Sequence, residues 1–145
     1  MANGITTRVD GGAPKVDFAK FLLRVVLGLL LIAHGISKAR GGIGGIVDMV
    51  VAHHMPAFVA YLVYIGEIIA PALLIVGLFT RAAALIVIIN MLFAIGLAHM
   101  GDLFSMSDSG GYALELQALF LLTAIVVALL GAGRYSIGGR YGRWN

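Results

Sequence analysis

The chain has 145 residues, of which 61% are hydrophobic and only 12% charged, and its mean hydropathy is +1.02. A water-soluble domain has about a quarter of its residues charged, so this composition excludes one and makes lipid the solvent for most of the surface. The absence of cysteine excludes disulfides, thiolate metal sites and CxxC electron relays within the chain. The net charge of +3 comes from Lys and Arg that mostly flank apolar runs, a pattern of topology control rather than of nucleic-acid binding.

Four apolar stretches follow in order: residues 18–37, 57–79, 82–100 and 112–132. Each is near the ~20 residues that a helix needs to cross a bilayer. They lack the strict alternation of barrel strands and are too long for them. The expected fold is therefore all-α, a transmembrane four-helix bundle. Residues 1–17 and 139–145 form tails around a membrane domain at 18–138. Between the first two spans, glycines 41, 42, 44 and 45 punctuate the chain, and residues 46–55 read as a short interfacial helix. Thr80-Arg81 leaves only a two-residue joint, which makes spans two and three an antiparallel hairpin. Residues 101–111 read as a solvated loop. No small-x-small cleavage site follows the first run, which reads as a retained span.

Counting Lys and Arg fixes the expected orientation. With four spans, Arg8, Lys15, Lys20, Arg24, Arg81, Arg134, Arg140 and Arg143 share one side, against Lys38 and Arg40 on the other. The positive-inside rule then puts both termini in the cytoplasm.

A charged side chain at mid-span costs about 2.5–3.5 kcal/mol on insertion scales, so each one needs an account. In this topology His34, Lys38, Glu67, His99 and Glu115 all fall in the outer half, on four different helices, where they are expected to converge. Glu67 stands out. A carboxylate in hydrocarbon is either paired or protonated, and Pro71, four residues on, has no N–H for the carbonyl of Glu67. A kink and a polar pocket are expected there; a salt bridge that merely locks the bundle is the alternative. His34 and Lys38 share a helix face, with Gly35 open to a close neighbour, and read either as a proton shuttle with an anion attractor or as an interfacial cap. Asn90 reads as inter-helix glue, Glu115 as the wet end of span four. Arg24 and Lys20 would ordinarily snorkel to the inner headgroups; Arg24 also falls on the stripe Arg24, Leu27, Leu31, His34, Lys38, so facing the bundle is its alternative. No Walker loop, GxGxxG, HExxH or nucleophile triad is present, and no metal site is expected.

Taken together, these positions resemble the DoxX family of small four-helix membrane proteins, related to the DoxD subunit of thiosulfate:quinone oxidoreductase. The matching elements are Leu23-Arg24 with Gly28, then His34-Gly35-Ile36-Ser37-Lys38, then Glu67 with Pro71 to Arg81. Gly111-Tyr112 leading to Glu115, and Gly131-Ala132-Gly133-Arg134-Tyr135-Ser136, complete the set. The resemblance covers residues 18–138 and departs at Gly138, where an acidic residue is expected; that puts a C-terminal ion pair in doubt. It implies a multi-pass inner-membrane protein linked to redox metabolism, quinone-dependent sulfur oxidation or oxidative-stress complexes, with distant relatives resembling assembly chaperones.

Three readings stay open. In the favoured one the chain is a membrane subunit of a quinone-linked oxidoreductase complex, with no covalent cofactor and a quinone bound. Glu67 and His34 then handle protons, and Lys38, His99, Glu115, Asn90 and Arg24 are the candidate binding residues. The second is a non-catalytic partner or assembly factor for another membrane or redox protein. The third is a small transporter, which would need a homo-oligomer. Gly28 and Gly96 permit one without demonstrating it. Beyond lipid and a protein partner, no nucleic acid is expected to bind.

Overall fold

A computed structural model describes residues 14–107, 110–139, 142, 144 and 145. Helix α1 spans Pro14–Gly41, 28 residues, or about 42 Å at 1.5 Å per residue. It opens on a proline, whose fixed φ suits a first turn, four residues before the expected span. Its buried stripe comprises Asp17, Arg24, Leu27, Gly28, Leu31 and Gly35. A short α2, Gly44–Ala52, follows.

The next stretch, Ala57–Val76, changes helix type twice. It begins as a 3-10 helix at Ala57–Leu62, passes through a π turn at Ile65–Ile69 and ends as α3, Ala70–Val76. Pro71 accounts for the break. An α-helix would require a bond from residue 71 back to Glu67, and proline has none to give. The π turn takes up the mismatch, with the Ala70 N–H reaching the carbonyl of Ile65. Helix α4 runs Thr80–Ala98, a 3-10 turn covers Met100–Asp102, and α5 runs Glu115–Leu130. Among the described residues there is no strand, only an isolated bridge between Met106 and Tyr112. The fold is all-α.

Helix α1 packs against α3 and α5, and α4 packs against the same two. Leu27, Leu31, Leu74, Val87, Met91, Phe120 and Val127 form their common core. Gly28 and Gly35 set how closely α1 approaches. A Cβ at 28 would lie 2.8 Å from the carbonyl oxygen of Pro71, and one at 35 would lie 2.8 Å from that of Glu67. Gly28 thus serves a contact within the chain. Gly96 meets nothing within 4 Å. A second, smaller core joins Ile43, Val50 and Ala60 with Leu97 of α4.

Outside these cores the surface is apolar. Ile89, Leu92, Leu119, Leu122 and Leu129 are all exposed. Ala57–Val76 and Thr80–Ala98 are long and apolar enough to cross a membrane. The chain has the character of a membrane protein.

The joint between α3 and α4 lies earlier than Thr80-Arg81. Gly77 (φ 70°) ends α3, with its N–H and that of Leu78 both returned to the carbonyl of Leu73. Such a cap needs the left-handed conformation that glycine adopts freely. Thr80 and Arg81 then belong to the first turn of α4, and the segment after α5 closes over them. Asn145 Oδ1 accepts from Thr80 N and Oγ1 at 3.2 and 2.9 Å, and Arg81 N donates to the carbonyl of Trp144 at 2.9 Å. Gly138 donates to the carbonyl of Gly77, and any Cβ there would lie 2.5 Å from Asn145 Nδ2. The acid that meets this segment comes instead from α1: Asp17 Oδ1 accepts from the Arg134 N–H at 3.3 Å.

Candidate functional site

The π turn places Glu67 on the inside of the molecule, where it is 2% exposed. Three residues after Gly35, and so on nearly the same face of α1, Lys38 extends to it. The Lys38 ammonium and Glu67 Oε1 form an ion pair. The pair is asymmetric in water access: the lysine side chain is one-third exposed and the glutamate side chain almost fully covered. Glu67 Oε2 has no hydrogen-bond partner among the described residues, and neither has the buried Asn90 Nδ2. Gly66 makes room for Asn90, since a Cβ at 66 would fall 2.4 Å from Asn90 Cγ. The α4 amide therefore lies against the backbone next to Glu67.

Glu67 and Asn90 are among the residues that line a cavity of about 440 Å³ between α2, the broken stretch and α4, and the two unpartnered atoms themselves are fully buried. Its walls are mainly apolar, with Ile46 and Met49 from α2, Val59, Val63 and Ile65 from the broken stretch, and Ile86, Ile89, Phe93 and Leu97 from α4. Four polar side chains interrupt them: Lys38, Glu67, Asn90 and His99. Ligand cavities commonly have this make-up, an apolar body with a few polar groups that fix orientation. His99 connects outward. Its Nδ1 lies 3.2 Å from Asp102 Oδ2 and its Nε2 lies 3.3 Å from Gln117 Nε2, which suits a ring protonated on Nδ1 that accepts from Gln117.

The expected convergence is thus met by Lys38, Glu67 and His99, with Asn90 joining them. It does not extend to His34 or Glu115. His34 is exposed, bonds the carbonyl of Leu30 at 2.9 Å and stands edge-on to Phe120 of α5, 5.5 Å between ring centres. One residue from Gly35, it is turned about 100° away from the face that meets Glu67. Glu115 opens α5 and is exposed.

Arg24 does face the interior, at 1% exposure, but it belongs to a different site. Its guanidinium donates to the carbonyls of Leu74 (2.6 Å), Ile75 (2.5 Å), Ala132 (3.3 Å) and Tyr135. It closes the end of α3 and ties the segment after α5 to it. Asp17 was missed by sequence reasoning, although it lies seven residues before Arg24 on the same stripe. Gln117 reads from the sequence, with Glu115, only as the wet end of span four; its link to His99 and the α2 side chains of the cavity were missed, because nothing local marks them as neighbours of His99 and Glu67. Among the described residues, no group of three or more His, Asp or Glu is placed to hold a metal ion.

Residues 19–100 match the model of the DoxX family. The chain belongs to the DoxX family. The match holds Arg24, His34, Lys38, Glu67, Asn90 and His99, whereas Glu115 lies beyond it. A Bacillus subtilis relative named "Putative oxidoreductase CatD" is 31% identical over 118 residues, which is 80% of this chain and 81% of that protein. A Haemophilus influenzae relative, named only as an uncharacterized protein, is 32% identical over 129 residues, 82% of this chain and 87% of its own. No solved structure matches this DoxX chain.

Proposed function

We infer that this DoxX protein is a four-span protein of the inner membrane, with both termini cytoplasmic, and the membrane subunit of a quinone-linked redox complex. The similarity to a protein named as an oxidoreductase supports the redox theme. One observation carries the site: a covered carboxylate has one oxygen on Lys38 and the other without a partner among the described residues, and its residue lines an apolar cavity large enough for a ring.

The residues fit a quinone on chemical grounds. The apolar walls take a ring and the start of a tail, and Asn90 Nδ2 supplies a donor for a ring oxygen. A bound quinone supplies two-electron, two-proton chemistry. The chain's share is to hold the ring, keep water from it and manage protons. Glu67 Oε2 is the free basic atom, and Lys38 fixes the carboxylate's orientation through Oε1. His99, bonded to Asp102, stands between the cavity and the outer surface as a route for protons. His34, Glu115 and Arg24 carry no part in this proposal.

Replacement Glu67→Gln should abolish quinone-dependent turnover while the protein still inserts in the membrane. Unchanged turnover would remove Glu67 from the mechanism. Native mass spectrometry of the gently solubilised complex should in addition find a quinone bound.

One feature favours the second reading, a non-catalytic partner or assembly factor. Phe104, between α4 and α5, is 99% exposed, with Met100 and Met106 exposed nearby. An apolar tip of this kind suits docking to another membrane protein. A stable co-purifying partner without bound quinone would support that reading over the first.

A further inference from the structure

We propose that the groove between α1 and α5 holds an acyl chain of an anionic phospholipid, whose phosphate is bound by the cations at the end of the bundle where α1 begins. This site lies on a different face from the Glu67 cavity and does not depend on the quinone reading.

The groove has a volume of about 470 Å³. Ala19, Leu22, Val26 and Leu30 line it from α1, and Leu119 and Thr123 from α5. Leu22, Val26, Leu30 and Leu119 are all exposed, so the groove takes an apolar occupant. Followed toward the start of α1, its stripe turns cationic. Lys15 stands four residues before Ala19 and seven before Leu22. Lys20 stands three before Leu23 and seven before Leu27, which also line the groove. These spacings set the two lysines along its two edges.

Further cations come from other segments. The stem of Lys20 lies against Gly133, with Cδ 3.2 Å from where a Cβ would stand, and Arg81 Nε is equally close to such a position at Gly131. Arg134 follows in the same turn, and both arginines are exposed. Among the described residues, none of these cations takes part in an ion pair. Asp17 sits beside them, but it is 2% exposed and accepts from the Arg134 backbone N–H.

Ammonium and guanidinium donors match the oxygens of a phosphate, and basic pockets at the ends of membrane helices hold anionic headgroups. The apolar stripe below them then takes the attached chain. A second copy of the protein fits this face less well. Close helix pairing in lipid uses small residues, whereas the groove presents mainly leucines, and Gly28 is already covered by α3. A two-fold pairing here would also set the same cations against each other.

The test is native mass spectrometry of the full chain, released from nanodiscs of equal parts phosphatidylglycerol and phosphatidylcholine with identical acyl chains. Phosphatidylglycerol should stay bound with about tenfold preference. Lys15→Gln together with Lys20→Gln should bring the two lipids within about threefold of each other, whereas Arg40→Gln, at the far end of α1, should leave the preference unchanged. Val26→Trp fills the groove and should reduce retention of both lipids. Soluble glycerol phosphate, a headgroup without a chain, should not displace the bound lipid. Equal retention of the two lipids by the unaltered chain would overturn the proposal, as would displacement by glycerol phosphate, retention indifferent to Val26→Trp, or a lipid-free dimer. Because the two lipids compete on the unaltered chain, the proposal stays testable even where a variant fails to fold.

Discussion

Arg24 and Glu67 are both buried charges that meet the broken stretch from Ala57 to Val76, yet the protein surrounds them in opposite ways. The guanidinium donates four of its five N–H groups to carbonyl oxygens at the end of α3 and in the segment after α5. The carboxylate has a partner on one oxygen only among the described residues, and its residue lines a cavity. A charge held by carbonyls from two segments of the chain has a structural role. One that is half-met at the wall of a cavity is the better candidate for a ligand site.

The largest effect should come from the Arg24 site. Arg24→Met removes the donor from the carbonyls of Ile75, Ala132 and Tyr135, while that of Leu74 keeps the Gly77 N–H. It should cost about 1–3 kcal/mol for each carbonyl left unpaired, read from unfolding in mixed detergent. Arg24→Lys should recover only part of that, since an ammonium cannot fork to acceptors on two segments. An unchanged unfolding midpoint for Arg24→Met would break the comparison.

Much of this contrast was legible in the sequence, and the reasons are local. Arg24 shares a stripe with Leu27 and Leu31, so helical periodicity offers the inward direction beside the snorkelling one. Glu67 stands out because acids are rare in apolar runs, and Pro71 marks the break beside it. What could not be read was rotation and reach. His34 and Lys38 are four apart, but Gly35 is the residue pressed to Glu67, which turns His34 toward Phe120 and leaves the long lysine side chain to make the pair. The closure of the final segment over Thr80 was also hidden. It depends on Asn145, polar and far away in sequence, and on a turn set by Gly77 rather than by Thr80-Arg81.

Next in size are the glycines beside each site, Gly35, which sets helix approach, and Gly77, which caps α3. Gly35→Ala puts a methyl 2.8 Å from the Glu67 carbonyl, and should cost about 1–3 kcal/mol by overpacking while also weakening ligand binding. Gly77→Ala, at φ 70° and 2.9 Å from Arg24 Cζ, should cost a similar amount, about 1–3 kcal/mol, with ligand affinity unchanged in the protein that folds. Equal effects on ligand affinity from both variants would show that the two sites are not separable.

The ion pair itself offers a sharper test. Lys38→Met leaves Glu67 covered and unpaired, so adding Glu67→Gln should restore stability rather than reduce it further, with a coupling of about 0.5–3 kcal/mol. Simple additivity would mean that the pair contributes nothing. The smallest effect belongs to His34→Ala, which should stay within about 0.5 kcal/mol in stability and leave ligand affinity unchanged.

The most direct test of the central claim is photoaffinity labelling with an azido-quinone in native membranes, with the crosslinked peptides mapped by mass spectrometry. Label is expected on residues of the cavity wall, around Val63 and Phe93, displaced by unlabelled quinone and lost in Asn90→Leu. Label spread over the exposed faces of α1 and α5, insensitive to competitor, would contradict a quinone site at Glu67.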